Sequence, residues 1–207
     1  MGKHGIFIVL EGPDGSGTTF HSSVLTASLQ KNGYDVLHTA EPTDCPIGRE
    51  IRRHITGHLP LPPTSLQLLF TADRSLHCAE TLEPALQTGK MVICDRYIPS
   101  TLAYGEAAGV DSLWLRELNK NFIQPDATLY LLPPLSVCLQ RLSQRQTRDA
   151  LESSSFQERV HRVYQKLLTE DPYGQVIDTS GSKDDVMPLV FAAVQKVLQE
   201  RTVPMSA

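Results

Sequence analysis

Residues Gly12 to Thr19 read Gly-Pro-Asp-Gly-Ser-Gly-Thr-Thr, a run that can fold around an anion. Gly12, Gly15 and Gly17 let backbone N–H groups converge on phosphate oxygens, with Ser16 between them. Thr19 offers a hydroxyl to a hydrated magnesium ion. Loops of this type end in Gly-Lys-Ser/Thr, and here Thr18 fills the lysine position. The chemistry on offer is therefore the holding of a nucleotide. Whether the chain also turns one over is the question that Thr18 raises. A plain glycine turn is the alternative reading, and an apolar strand-like run just upstream weighs against it.

Three further groups point to phosphate and base chemistry. Asp95-Arg96-Tyr97 follows an apolar run, so a carboxylate and a guanidinium stand at a strand end, where open α/β sheets bind ligands. Asp95 can hold magnesium through water and Arg96 can grip a phosphate. Taken alone, the two would as readily be a strand-end ion pair. Phe70 and Arg74 are four residues apart, on one face of a helix, where a ring can stack on a base and donors can reach its edge. A core phenylalanine with a surface arginine fits the same spacing. Arg141, Arg145 and Arg148 crowd a polar stretch between two helical segments and read either as a lid over transferring phosphates or as a solvated basic face.

The elements that must position these residues follow from period and punctuation. Strands are expected at Ile6–Leu10, Tyr34–Thr39, Met91–Cys94, Ala127–Leu132 and Gln175–Asp178. Helices are expected over Thr18–Asn32, Ile47–Ile55, Thr64–Gln87 (with Thr64 as its cap), Ser112–Asn121, Leu135–Ser143, Phe156–Leu168 and Asp184–Gln199. Strands with little polar alternation, separated by helices, imply a parallel five-stranded sheet covered on both faces, in one α/β domain over residues 1–207. A net charge of -4 argues against a nucleic-acid polymer as partner. Four scattered cysteines without a C-x-x-C pair favour reduced thiols and a cytoplasmic chain. The apolar run Ile6–Leu10 is too short for a signal-peptide core or a membrane span.

Together these pieces resemble the thymidylate kinases of the nucleoside monophosphate kinase group. The matching text is EGPDGSG from Glu11, EPT and IGREIR between Glu41 and Arg52, LLFTADR from Leu68, DRYIPSTLAY from Asp95, an arginine-rich lid at about 143–155, and VIDTSGS from Val176. The resemblance covers nearly the whole chain. It implies a P-loop NTPase-type three-layer fold with a short lid, and transfer of the terminal phosphoryl group of ATP to dTMP with Mg²⁺. By matching position, Asp14 would meet the acceptor 3′-hydroxyl, Phe70 would stack on thymine, and Arg74 would bond its carbonyl edge. Arg96 would hold the acceptor phosphate, Ser100 and Tyr104 would line the acceptor pocket with Glu41 and Arg52, and Thr19 with Asp95 would hold the metal. Gly12, Gly15, Ser16, Gly17, Thr18, Thr19, Arg141 and Ser180 would serve ATP.

The family supplies a catalytic arginine either from the loop, at the position after the aspartate, or from the lid. The loop position is Gly15, so Arg145 and Arg148 are implied, with Arg148 preferred. A homodimer through the helices near Ile47–Ile55 and Thr64–Gln87 is also implied. The sequence departs from the family pattern at Thr18, at Ala40 (usually arginine) and at Gly105 (commonly glutamine or threonine). A kinase for another nucleoside monophosphate, or a weak nucleotide-binding pseudokinase, are the alternatives that these departures raise. Losing one electrostatic donor from a preorganised site costs about two to three orders of magnitude in rate. Asp14, Thr19, Asp95, Arg96, Phe70 and Arg74 all remain, which favours an active enzyme.

Overall fold

Ile6–Glu11 (β1) is apolar on both sides of its pleat and buried almost throughout, as a strand covered on both faces must be. The computed structural model describes residues 5–57, 61–144, 151 and 153–202. Among them β1, β2 (Val36–Ala40), β3 (Met91–Asp95), β4 (Ala127–Leu131) and β5 (Gly174–Ile177) form one parallel five-stranded sheet in the order β2-β3-β1-β4-β5. The helices are α1 (Thr18–Lys31), α2 (Pro46–Ile55), α3 (Pro63–His77), α4 (Glu83–Gln87), α5 (Ile98–Ala107), α6 (Ser112–Asn119), α7 (Leu135–Ser143), α8 (Ser154–Glu170) and α9 (Lys183–Thr202). The expected three-layer α/β architecture is what the chain adopts.

Alternate residues of the strands serve the two faces. Ile8, Leu10, Ile93 and Leu129 pack on Leu25 and Leu29 of α1 and on Val186, Val190 and Val194 of α9. Phe7, Val9, Val92 and Cys94 pack on Cys78, Leu82 and Leu86 across the sheet. Beside them, Leu102 and Ala103 of α5 meet Val160 and Tyr164 of α8 over Tyr130. Register then sets the site: Ala40, Asp95, Leu10 and Leu129 lie abreast across four strands, so the residues that follow emerge together at one sheet edge. All four cysteines are free thiols, and no described helix is long and apolar enough to cross a membrane.

Three local readings need correction. The helix expected over 64–87 is α3, a wider π-type turn over Cys78–Leu82, and then α4. Pro84 explains the widening, since its ring would clash with the carbonyl four residues back in a regular helix. Thr64 is not the cap of α3, because Pro62 holds that position and Pro63 opens the first turn. α5, unread in the sequence, carries Pro99, Ser100, Thr101 and Gly105, all weak helix formers. Tertiary contacts secure it: Leu102 and Ala103 are buried, and the buried Glu11 carboxylate accepts the amides of Tyr97 (2.6 Å) and Ser100 (3.3 Å).

Candidate active site

The phosphate loop joins β1 to α1 with Gly15 and Gly17 in the left-handed region (φ 84° and 93°). Thr179 Oγ1 donates to the Ser16 carbonyl at 2.7 Å, and Arg141 donates to the carbonyls of Gly15 (3.1 Å) and Thr179 (2.6 Å). Two side chains therefore tie the loop to the segment after β5. A Cβ on Gly15 would stand 2.7 Å from the Cys138 carbonyl in α7. Position 15 is thus closed to any side chain, an arginine included.

At the start of α1, Thr19 is exposed and donates through Oγ1 to Asp95 Oδ2 at 2.6 Å. The other carboxylate oxygen of Asp95 is buried and has no hydrogen-bond partner among the described residues. A hard, oxygen-only pair with one oxygen unsatisfied suits a magnesium ion that keeps most of its waters and binds phosphates.

Arg96 follows Asp95 with φ 70°, a conformation rare outside glycine, and its amide bonds the Leu10 carbonyl at 3.0 Å. That twist turns its guanidinium back over the loop. There it pairs with Asp14 at 2.7 Å and donates to the Gly12 carbonyl at 2.8 Å and to Ser100 Oγ at 3.2 Å. Glu11 underlies this cluster, accepting from Ser100 Oγ (2.7 Å) and the Tyr164 hydroxyl (2.9 Å). Burial raises the Glu11 carboxyl above its ordinary 4.5, against the opposing pull of Ser100 and Arg96. The other oxygen of Asp14 accepts from Gln157 Nε2 at 3.0 Å.

From Asp14 and Arg96 a cleft of about 960 Å³, open mouth included, runs between α2, α3 and α5. Phe70, Arg74, Ser100, Tyr104 and Glu41 all line it. Arg74 is 1 % exposed and is held from several sides. Its Nε and Nη2 donate to Glu41 Oε2 (2.9 and 2.7 Å), Nη2 to Thr101 (2.9 Å) and Nη1 to Asn119. Glu41 in turn bonds His77 through its second oxygen at 2.9 Å. Burial keeps the Tyr104 hydroxyl far above its usual range and so protonated, and Arg96 lies 5.4 Å over its ring. Arg52 does not line this cleft. It braces the neighbouring turn, donating to the carbonyls of Pro42 (2.6 Å) and Thr43 (2.8 Å) and pairing with Asp44.

On the other side of the loop a smaller hollow is lined by Gly15, Gly17, Phe20, His21, Arg141, Thr179, Gly181 and Lys183. Lys183 escaped the sequence reading, although it directly follows the DTSGS run. Its ammonium lies 4.1 Å from the centroid of Phe20 and forms no ion pair among the described residues. Burial lowers the pKa of His21, and the charges of Arg141 and Lys183 lower it further. Thr18 is buried and lies outside this lining, and Ser180 is exposed between Thr179 and Gly181 without joining it. Arg145 and Arg148 lie outside the described residues. Of the expected lid, Leu151 reaches the larger cleft and its carbonyl accepts from Gln157 at 2.8 Å.

A phosphate loop, a magnesium-type oxygen pair and a base-sized cleft meeting at Asp14 and Arg96 agree with comparison to known proteins. The family model described as thymidylate kinase matches residues 10–190. The chain belongs to the thymidylate kinase family. The thymidylate kinase of Thermomicrobium roseum is 38% identical over 201 residues, which is 93% of this chain and 96% of that protein. A probable thymidylate kinase of Pyrococcus horikoshii is 37% identical over 200 residues, 94% of this chain and 98% of its own length. The thymidylate kinase of a Synechococcus strain is 36% identical over 197 residues, 92% and 95% of the two chains. As a member of the thymidylate kinase family, the chain is an ATP-dependent nucleoside monophosphate kinase.

Proposed function

We propose that the chain converts dTMP and ATP to dTDP and ADP, with Mg²⁺ held beside the donor by Thr19 and Asp95. The observation that carries this is the Asp14–Arg96 pair, which belongs at once to the phosphate loop and to the wall of the acceptor cleft. An oxygen of the acceptor phosphate attacks the terminal phosphorus of ATP, and the bond from that phosphorus to the bridging oxygen breaks towards ADP. The protein contributes position and charge, since no covalent step is required of it.

Arg96 holds the acceptor phosphate, Asp14 accepts from the 3′-hydroxyl, Phe70 stacks on the base and Arg74 donates to a ring carbonyl. Tyr104 borders the 2′ face of the sugar, and Glu41 keeps Arg74 in place. Magnesium, when bound, neutralises charge on the donor phosphates. Arg141 and Lys183 add to that neutralisation from the far side of the loop, so the position of Thr18 need not supply a cation. The closed space at Gly15 supports a lid source for the transition-state arginine, Arg148 or Arg145. Free thiols fit a cytoplasmic setting. The exposed Leu68 and Leu76, two turns apart on α3, suit self-association through that helix and α2.

A panel of nucleoside monophosphates, incubated with ATP and Mg²⁺ and resolved by product, tests the assignment. We expect dTDP to form fastest. Preference for dCMP or UMP would overturn the acceptor assignment, and binding without any product would overturn turnover.

A further inference from the structure

Gln67 stands one turn before Phe70 and two before Arg74, so α3 presents amide, ring and guanidinium to one cleft. It is 2% exposed, and its side-chain oxygen has no hydrogen-bond partner among the described residues. Buried amides are kept unsatisfied only at a cost, and those in a binding cleft are satisfied by what binds there. The place it occupies depends on Gly105. A Cβ at that position would stand 2.6 Å from Leu115 Cδ1 and 3.3 Å from Gln67 Cδ, so a larger residue in α5 would press on the amide. Beside it, Arg74 has spent four of its five N–H groups on Glu41, Asn119 and Thr101, which leaves a single N–H on Nη1.

We propose that Gln67 reads the hydrogen-bonding edge of the acceptor base, taking the N3–H of a pyrimidine-2,4-dione through Oε1. The remaining N–H of Arg74 donates to the adjacent ring carbonyl. The reading rests on the acceptor assignment above and names what distinguishes one base from another. In a cytosine, N3 carries no hydrogen and the neighbouring amino group is a donor. The Gln67 amide can turn over to donate to that N3, since its two ends have nearly the same shape. Arg74 cannot become an acceptor, so the pair together rejects cytosine while Gln67 anchors the dione. A polar site left unpaired by the wrong ligand is what gives such discrimination its strength.

The test is calorimetric binding of dTMP and of its N3-methyl analogue, which keeps both ring carbonyls but has no N3–H to donate, to the wild type and to Gln67→Leu, whose shorter apolar side chain leaves room for the methyl group. ATP binding serves as control. We expect dTMP to bind the wild type about tenfold more tightly than the analogue, the equivalent of one buried neutral hydrogen bond. In Gln67→Leu the two ligands should bind alike, with ATP affinity unchanged. A wild type that does not distinguish the two ligands overturns the proposal even where the variant fails to fold. Discrimination that persists in Gln67→Leu overturns it as well. Failure of the wild type to bind dTMP at all would instead strike at the acceptor assignment on which the proposal rests.

Discussion

The two sides of the phosphate loop are built on different principles. One wall of the acceptor cleft is a buried polar network: Arg74 is held by Glu41, Asn119 and Thr101, and Glu41 by His77, while the Gln67 oxygen beside them is left without a partner among the described residues. The donor hollow has two cations, an aromatic ring and glycines, and Lys183 faces it without an ion pair among the described residues. The first side selects by geometry, where one misplaced atom leaves an unpaired polar group in a low-dielectric wall. On the proposed assignment the second works by summed charge, to which the amino end of α1, several side chains and magnesium, when bound, would each contribute a part. On that assignment a threonine in the lysine position would be tolerated, because a sum survives the loss of one contributor and a locked network does not.

The contrast is most exposed at Arg74. Replacement by methionine leaves Glu41 buried without its partner, and we expect a loss of about 3–5 kcal/mol in unfolding free energy. Urea titration with and without dTMP measures it, and a loss below about 1 kcal/mol would mean that the network is not locked. Lys183→Met should act more gently, weakening ATP binding about tenfold while dTMP affinity stays as it was, as expected for one charge-assisted contact among several. Isothermal titration with each nucleotide decides this. Equal weakening for both would dissolve the distinction between the two sides.

The smallest expected effect concerns pH. Burial holds the folded pKa of Glu11 above 4.5, so between that value and the folded pKa the native state binds more protons than the unfolded one. Stability therefore falls as pH rises through this window, and the contribution is complete only below it. Glu11→Gln removes the titration. Its unfolding midpoint, compared with wild type at several pH values, should gain ground as pH rises from about 4 to about 7. Parallel curves would show that Glu11 keeps an ordinary pKa.

Much of this was legible in the sequence because it is local. Glycine spacing specifies a loop that closes on an anion, apolar runs without alternation specify strands covered on both faces, and Phe70 with Arg74 share a helix face by period alone. α5 was not legible, since Pro99, Ser100 and Gly105 oppose a helix locally and only contacts with Glu11 and α8 stabilise it. Lys183 was missed although it directly follows the DTSGS run, since its approach to Phe20, some 160 residues away, is set only by the packing of distant segments.

The loop, the sheet and the family could be read from residue types and spacing, because each rests on interactions within a few residues or on a repeating pattern. The commitment of nearly all Arg74 donors, the closure of position 15, the unsatisfied oxygens of Asp95 and Gln67 and the approach of Lys183 to Phe20 are another matter. They arise where distant segments meet, through distances and burial that no spacing along the chain encodes. Thr18 shows the division best: its identity announced a missing charge, and the folded arrangement around it showed where the remaining charges stand.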